Sequence, residues 1–404
     1  MKVCFISHSC SRGGAELSLV ELIDALVQRG VQCACILPGR GALNDLLAEQ
    51  GVETIVVPFN PWVHQEKTLY GRVRRMLPLR HLPATLRLVA AIKRSCCDVV
   101  YTNTIAVGVG AVAAKIAGKP HIWHIREFGY DDHKLSYDLG SRISRKLIGH
   151  LSSACIANSK AVTEDYRASL ADTELTVIYN SVKMPVLGDE TLAVTPWRHE
   201  DAIRCILLGK LLPGKGQEDA VKAMVNLRRM NVPAELLLLG GVLDREYHQY
   251  LRRIVEQHNL TDRVHMLGHS DKPMPLMSTA DVVLMCSRRE AFGRVTVEGM
   301  KLGKPVIGTR SGGTPEIVQE GETGFLYTPG NAQELAAKIG HLYANRAVCD
   351  SMGTTSCLRA WERFNQQVYG KDVESILQRV VSARNGSGEL RSGKVAKQTR
   401  SRAA

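Results

Sequence analysis

The sequence has no apolar run near the roughly 18 to 20 residues that cross a bilayer; its longest candidate is Ile105 to Ala114. An integral membrane protein is not expected. It also lacks any Cys-x-x-Cys pair. Its eleven cysteines are an odd number, and Cys4, Cys33, Cys35, Cys155, Cys205 and Cys286 fall in apolar runs where cysteine behaves as a small hydrophobe. Disulfide scaffolding and structural zinc are therefore poor readings, and a reducing cytoplasm is the expected compartment. No signal-peptide core forms at the N-terminus, because polar residues interrupt Met1-Lys2-Val3-Cys4-Phe5-Ile6-Ser7-His8. Aromatic residues make up only 5% and no nucleic-acid module is recognisable, so the net charge of +12 does not imply a nucleic-acid partner.

Acidic residues are missing from one stretch in particular. Between Lys67 and Arg94 there are eight basic residues and no acidic one, and between Arg379 and Ala404 seven basic and one acidic. The rest of the chain is close to neutral. Leu82, Leu86 and Val89 share one helical face of the first basic stretch, with Arg87, Lys93 and Arg94 elsewhere. That leaves a solvated basic helix or a surface for anionic lipid.

The 404 residues, 45% of them hydrophobic, exceed what one core usually serves, so two domains are expected. Short aliphatic runs alternate with amphipathic stretches: Lys2 to Ser7, Gln32 to Leu37, Thr54 to Pro58, Asp98 to Thr102, His121 to Ile125, Ala154 to Asn158 and Leu175 to Tyr179. Strands buried on both faces with helices between them imply a parallel, doubly wound sheet. The same alternation resumes at Ile203 to Leu208 and runs to Phe325 to Tyr327. The expected class is α/β, with two doubly wound Rossmann-like domains facing across a cleft, where open α/β folds bind ligands. Residues 1–183 form the first domain, 184–201 a linker and 202–360 the second domain. A helical segment, 361–381, is expected to pack back on the first domain, followed by a basic disordered tail, 382–404.

Several glycine-rich turns invite a phosphate. Gly108-Val-Gly110-Ala-Val-Ala113 matches a dinucleotide fingerprint, but Asn103 to Val107 separate it from its strand, which puts the glycines within an apolar helix in a packing role. Gly209-Lys-Leu-Leu-Pro-Gly214-Lys215-Gly216 is nearly a P-loop, except that Gly216 replaces the hydroxyl that would hold magnesium. A turn with two lysines at a helix N-terminus remains, suited to phosphate without a metal. Ser11-Arg12-Gly13-Gly14-Ala15-Glu16 offers another such turn after the first strand.

The richest segment is Ser287-Arg-Arg-Glu290-Ala291-Phe292-Gly293-Arg294-Val-Thr-Val-Glu298, followed by Gly303-Lys304-Pro305-Val306-Ile307 and Gly312-Gly313-Thr314-Pro315-Glu316-Ile317. Glu290 and Glu298 could act as the acid pair of a hydrolase. Alternatively, the carboxylates accept hydrogen bonds from sugar hydroxyls while amides between them meet a phosphate.

Here the sequence resembles the retaining family-4 glycosyltransferases of GT-B fold. Besides the acid pair, Gly13-Gly14-Ala15-Glu16, Ile178-Tyr179-Asn180-Ser181-Val182, Gly209 to Gly216 and Arg263-Val-His-Met-Leu-Gly268 follow in the family's order. The resemblance implies a nucleotide-sugar donor on the second domain and a glycan or lipid-linked acceptor on the first. Glu298 would hold the ribose, Glu290 the donor sugar, and amides near Phe292, Gly293 and Arg294 the sugar and diphosphate. Lys210, where the family usually has Arg, and Lys215 would neutralise the leaving diphosphate in place of a metal, so no cofactor is expected. Gly13 and Gly14 would approach the phosphates from the first domain. A family histidine near the donor sugar would correspond to His124, with Arg126 as the alternative. Retention by front-face displacement puts much of the catalysis into stabilising the departing phosphate. Rival readings are a sugar-nucleotide epimerase of the same fold, a silent sugar-nucleotide-binding partner of a membrane assembly complex and, last, a P-loop NTPase.

Overall fold

The computed structural model describes residues 1–65, 78–170, 173–186 and 196–400. The chain divides into two compact units, Met1–Ser181 with Gln366–Ala404, and Val182–Asn365.

In the first unit, β1 (Lys2–Ile6), β2 (Gln32–Leu37), β3 (Glu53–Val56), β5 (Val99–Asn103), β6 (His121–Ile125), β8 (Ala154–Ala157) and β9 (Leu175–Val177) form one parallel sheet, ordered β3-β2-β1-β5-β6-β8-β9. Every residue of β5, β6 and β8 is buried, as expected of parallel strands covered by helices on both faces. The strand order reverses between β1 and β5, the switch point at which loops open to receive ligands. Gly108 and Gly110 lie in the helix Gly108–Ile116, where a Cβ would meet the Trp62 ring at 2.3 Å and Ile6 at 2.8 Å. They are packing glycines, set in the helix's first turn.

The helix that begins at Gln366 buries Tyr369, Val373, Ile376, Leu377 and Val380, at helical spacing, against Leu19, Leu22 and Ile23 of the helix Gly14–Gln28. The expected segment starting at residue 361 therefore begins five residues later, because the preceding helix runs to Arg363 and Phe364 is buried in the second unit. The helix is described as far as Arg400, across part of the segment 382–404 expected as a basic tail.

A two-stranded antiparallel ribbon, β4 (Val63–Gln65) with β7 (Leu135–Tyr137), is closed by Asp138. Its carboxylate accepts from His64 Nδ1 at 3.2 Å and His81 Nε2 at 3.4 Å, and pairs with Arg80. Burial opposes the Asp138 charge, but the His81 hydrogen bond, the Arg80 guanidinium and His64 outweigh it and hold the pKa below the usual carboxylate value. A carboxyl with a lowered folded pKa adds stability above its unfolded pKa of about 3.9, lost as pH falls through the folded value. Asp138→Asn is therefore expected to lower Tm by about 2–4 °C at pH 7, the gap closing on acidification below about pH 4. Thermal melts at both pH values check this; a gap that ignores pH contradicts it.

In the second unit, β10 (Ile203–Leu208), β11 (Ala234–Leu239), β12 (Val264–Gly268), β13 (Val282–Met285), β14 (Val306–Thr309) and β15 (Gly324–Tyr327) form a parallel sheet ordered β12-β11-β10-β13-β14-β15. Helices cover both faces, and one packed cluster joins Ile203, Leu236 and Val282 to Val221, Leu251 and Leu335. The reversal falls between β10 and β13.

Candidate active site

That second switch point brings together the two most suggestive sequence segments. After β10 the chain forms a short 3-10 turn, Pro213–Lys215, and enters the helix Gln217–Arg229 through Gly216 at φ +66°. A Cβ on Gly216 would lie 2.0 Å from the carbonyl oxygen of Cys286, just past β13, so only glycine lets the two loops touch. Arg288 N donates to Gly214 O at 2.9 Å and secures the contact. Lys215 Nζ is thereby placed 2.7 Å from Glu290 Oε2, a half-buried charge pair.

Glu290 lies in the loop that passes through Phe292 and Gly293, φ +92°, into the helix Arg294–Lys301. This helix has no acidic residue in its first turn, so its N-terminal amides and dipole present positive potential beside the Lys215–Glu290 pair. Glu298 sits one turn along, its carboxylate 3.6 Å from the Arg294 guanidinium. Phe292 turns its side chain inward, edge-on to Phe364 with ring centres 5.7 Å apart, so its backbone faces the loop while its ring anchors it. Lys210 is exposed, and its carbonyl accepts from Gln217 Nε2 at 3.0 Å. Structure thus joins Lys215, Glu290, Phe292 and Gly293 directly and carries Arg294 and Glu298 on the next helix.

The supports were less visible in sequence. Asp219, almost fully buried, holds Arg288 through two hydrogen bonds of 2.8 and 3.0 Å and accepts from Tyr327 and from Gly330 N. The loop after β14 presses Gly312 on the backbone of Glu290, where a Cβ would lie 2.2 Å from the Glu290 carbonyl oxygen. Gly313 N donates to that same oxygen at 2.7 Å. With φ at +59° as well, Gly312→Ala is expected to cost about 2 kcal/mol or more and to lower Tm by at least 4 °C. A melt within 1 °C of wild type would contradict this role.

Among the first unit's expected residues, Gly13 precedes the helix Gly14–Gln28, and its N–H donates to Glu16 Oε2 at 3.1 Å. Glu16, nearly buried, also lies 3.4 Å from His8 Nε2, so this turn carries its own carboxylate beside Gly13 and Gly14. His124 is 0% exposed and Nδ1 meets Tyr101 OH at 2.6 Å. Burial, then the charge of Arg126, push its pKa well below the ordinary histidine value and keep it neutral. Its place is the interior of the sheet. Arg126, the alternative, is also buried and donates to Asn103 Oδ1 at 2.5 Å, Asn180 Oδ1 at 2.6 Å and Tyr369 OH at 3.0 Å. Glu127, raised to about 8 by burial and then by Asp132, accepts from Ile105 N at 2.8 Å. Among the described residues no three His, Cys, Asp or Glu side chains gather as a metal site, and no helix is long and apolar enough to cross a membrane.

Two doubly wound domains in succession, with an acid pair, a lysine and a helix N-terminus at the second switch point, have the architecture of a GT-B glycosyltransferase. Residues 12–184 match glycosyltransferase family 4, and residues 194–356 match the glycosyl transferases group 1. The chain belongs to this family of glycosyltransferases. It is 26% identical over 344 residues, 84% of this chain and 88% of the relative, to the lipopolysaccharide core biosynthesis glycosyltransferase LpsE of Rhizobium meliloti. Over 162 residues it is 32% identical to the N-acetyl-alpha-D-glucosaminyl L-malate synthase of Bacillus anthracis, a match spanning 40% of this chain and 42% of that protein. Among solved structures, Anabaena HepE in complex with UDP and glucose has a TM-score of 0.74 at 26% identity, covering 94% of this chain and 100% of that one.

Proposed function

We propose that this protein transfers a sugar from a UDP- or GDP-sugar to a hydroxyl of a glycan or lipid-linked acceptor, with retention of anomeric configuration, in surface polysaccharide or glycolipid assembly. The observation that carries it is the meeting of Lys215, Glu290 and the N-terminus of the helix Arg294–Lys301 at one switch point, with Glu298 on that helix. Glu298 accepts hydrogen bonds from the ribose hydroxyls and Glu290 from the sugar, while Lys215 and Lys210 meet the diphosphate. As the bond from C1 to the phosphate oxygen breaks, the acceptor oxygen bonds C1 on the same face and its proton passes to the leaving phosphate. Lys215 and the helix amides stabilise the charge that develops there. HepE was solved with UDP-glucose, and one relative is a GDP-mannose-dependent phosphatidylinositol monomannoside mannosyltransferase of Mycobacterium tuberculosis, which supports a diphosphate donor and a lipid-linked acceptor. Incubation with a panel of nucleotide sugars and lipid-linked acceptors, followed by proton NMR of the product, is the test. Retention of the donor's anomeric configuration is expected. An inverted product, an epimerised sugar nucleotide, or binding with no transfer each overturns the reading.

The acceptor class makes a membrane surface part of the same proposal. Of the basic stretch 67–94, residues 67–77 lie outside the described residues. The helix Leu82–Arg94 exposes Leu82 (51%) and Leu86 (56%) beside Arg87, Lys93 and Arg94, and has no acidic residue. The helix Gly108–Ile116 shares its core cluster and adds exposed Ile116 (53%) and Lys115. Apolar groups framed by cations suit anionic headgroups on the cytoplasmic membrane face, each cation contributing about 1 kcal/mol. Sedimentation with phosphatidylglycerol vesicles, but not phosphatidylcholine, is expected, and Leu86→Asp with Arg87→Glu abolishes it. Equal partition onto both lipids contradicts the charge argument.

A further inference from the structure

The donor reading explains the start of the helix Arg294–Lys301 and its Glu298, but not its last residue. Lys301 is a lysine only 6% exposed. Its ammonium donates to Val182 O at 2.7 Å and to Phe364 O at 3.0 Å, and lies 4.3 Å from the centre of the Trp361 ring. Trp361 Nε1 in turn donates to Lys301 O at 3.3 Å. Val182 opens the second unit and Asn365 closes it, so Val182 and Phe364 belong to the two segments by which the chain passes between units. They are joined to each other as well, Val182 N donating to Phe364 O at 3.2 Å. Burying an ammonium is costly, and methionine would fill the same space without that cost, so the two carbonyls and the ring face are what hold the charge there.

Phe364 is gripped from the helix's other end too, by the edge-on contact with Phe292 in the donor loop. An eight-residue helix about 12 Å long thus holds the donor carboxylate between two attachments to the crossing segments. Hydrogen-bonded helices move as rigid pieces, so a small shift of this helix on ligand binding reaches the carbonyls of Val182 and Phe364. We propose that Lys301 is a positioning residue that couples occupation of the donor pocket to the two crossing segments. The inference rests on the donor-site reading and names a residue that touches no substrate.

Hydrogen–deuterium exchange tests it without knowledge of the acceptor, using the full chain with and without UDP or GDP. In wild type, nucleotide is expected to slow exchange at least five-fold in peptides covering 180–186 and 361–368. Lys301→Met is expected to bind nucleotide within three-fold of wild type and to lose that response, while Lys301→Arg, which keeps the charge, retains most of it. Trp361→Leu, which removes the ring but leaves the ammonium, weakens the response two- to three-fold and serves where Lys301→Met does not fold. Nucleotide binding with an undiminished response in Lys301→Met or, where that variant does not fold, in Trp361→Leu overturns the coupling alone. Absence of nucleotide binding to the wild type overturns the donor site and the coupling together.

Discussion

Glu298→Ala is expected to weaken nucleoside diphosphate binding 30- to 100-fold while leaving Tm within about 3 °C of wild type. A carboxylate that accepts two hydrogen bonds from adjacent ribose hydroxyls loses both on truncation. Hydrogen bonds to a charged group are worth about 1.5–3 kcal/mol each, and 1.4 kcal/mol is a factor of ten, so even the lower figure with partial replacement by water exceeds ten-fold. Folding is little affected because the pair with Arg294 is a 3.6 Å i,i+4 contact on one helix, of a kind that adds only tenths of a kcal/mol. Glu298→Gln keeps the shape and one acceptor, and a loss near ten-fold is expected. Calorimetric titration of both variants measures this; unchanged affinity in the alanine variant would remove Glu298 from the nucleotide site.

Lys215→Ala is expected to lower kcat by 10²- to 10³-fold and to change the donor KM by less than ten-fold. The ammonium is held 2.7 Å from Glu290 at the strand switch point, where the proposed reaction puts the charge that grows on the diphosphate as its bond to C1 breaks. A preorganised cation that gains strength as charge develops acts on the transition state more than on the bound donor, and removal of one such donor typically costs that factor. Lys215→Arg retains charge but reaches differently and recovers part of the rate. Steady-state kinetics separate the outcomes: a large rise in KM with kcat intact would make Lys215 a ground-state binder.

The tandem domains were legible because buried parallel strands leave short apolar runs such as Leu236 to Leu239 between amphipathic helices, a pattern that local residue types largely dictate. The loop that carries Glu290 was legible for a different reason. Gly216, Gly293 and Gly312 occupy positions that backbone geometry reserves for glycine, and Lys215, Glu290 and Glu298 lie beside or between them in sequence. Sequence does not show which way a side chain turns. His124 and Arg126 both end a strand with polar character, yet both are drawn inward, by Tyr101 and by the Asn103–Asn180–Tyr369 set, whose members come from three distant parts of the chain. Lys301 carried no signal at all, since a lysine beside Met300 and Leu302 reads as an exposed helix end until Val182 and Phe364 arrive to accept from it.

The most direct test of the donor site is thermal denaturation of the purified protein against UDP, GDP, ADP and their common sugar conjugates. With one nucleotide at 100 times its Kd, a stabilisation of about 2.7 kcal/mol is expected, a clear rise in Tm that disappears in Glu298→Ala. Melting curves that no nucleotide moves would contradict the assignment of the Lys215–Glu290–Glu298 constellation to a nucleotide-sugar donor.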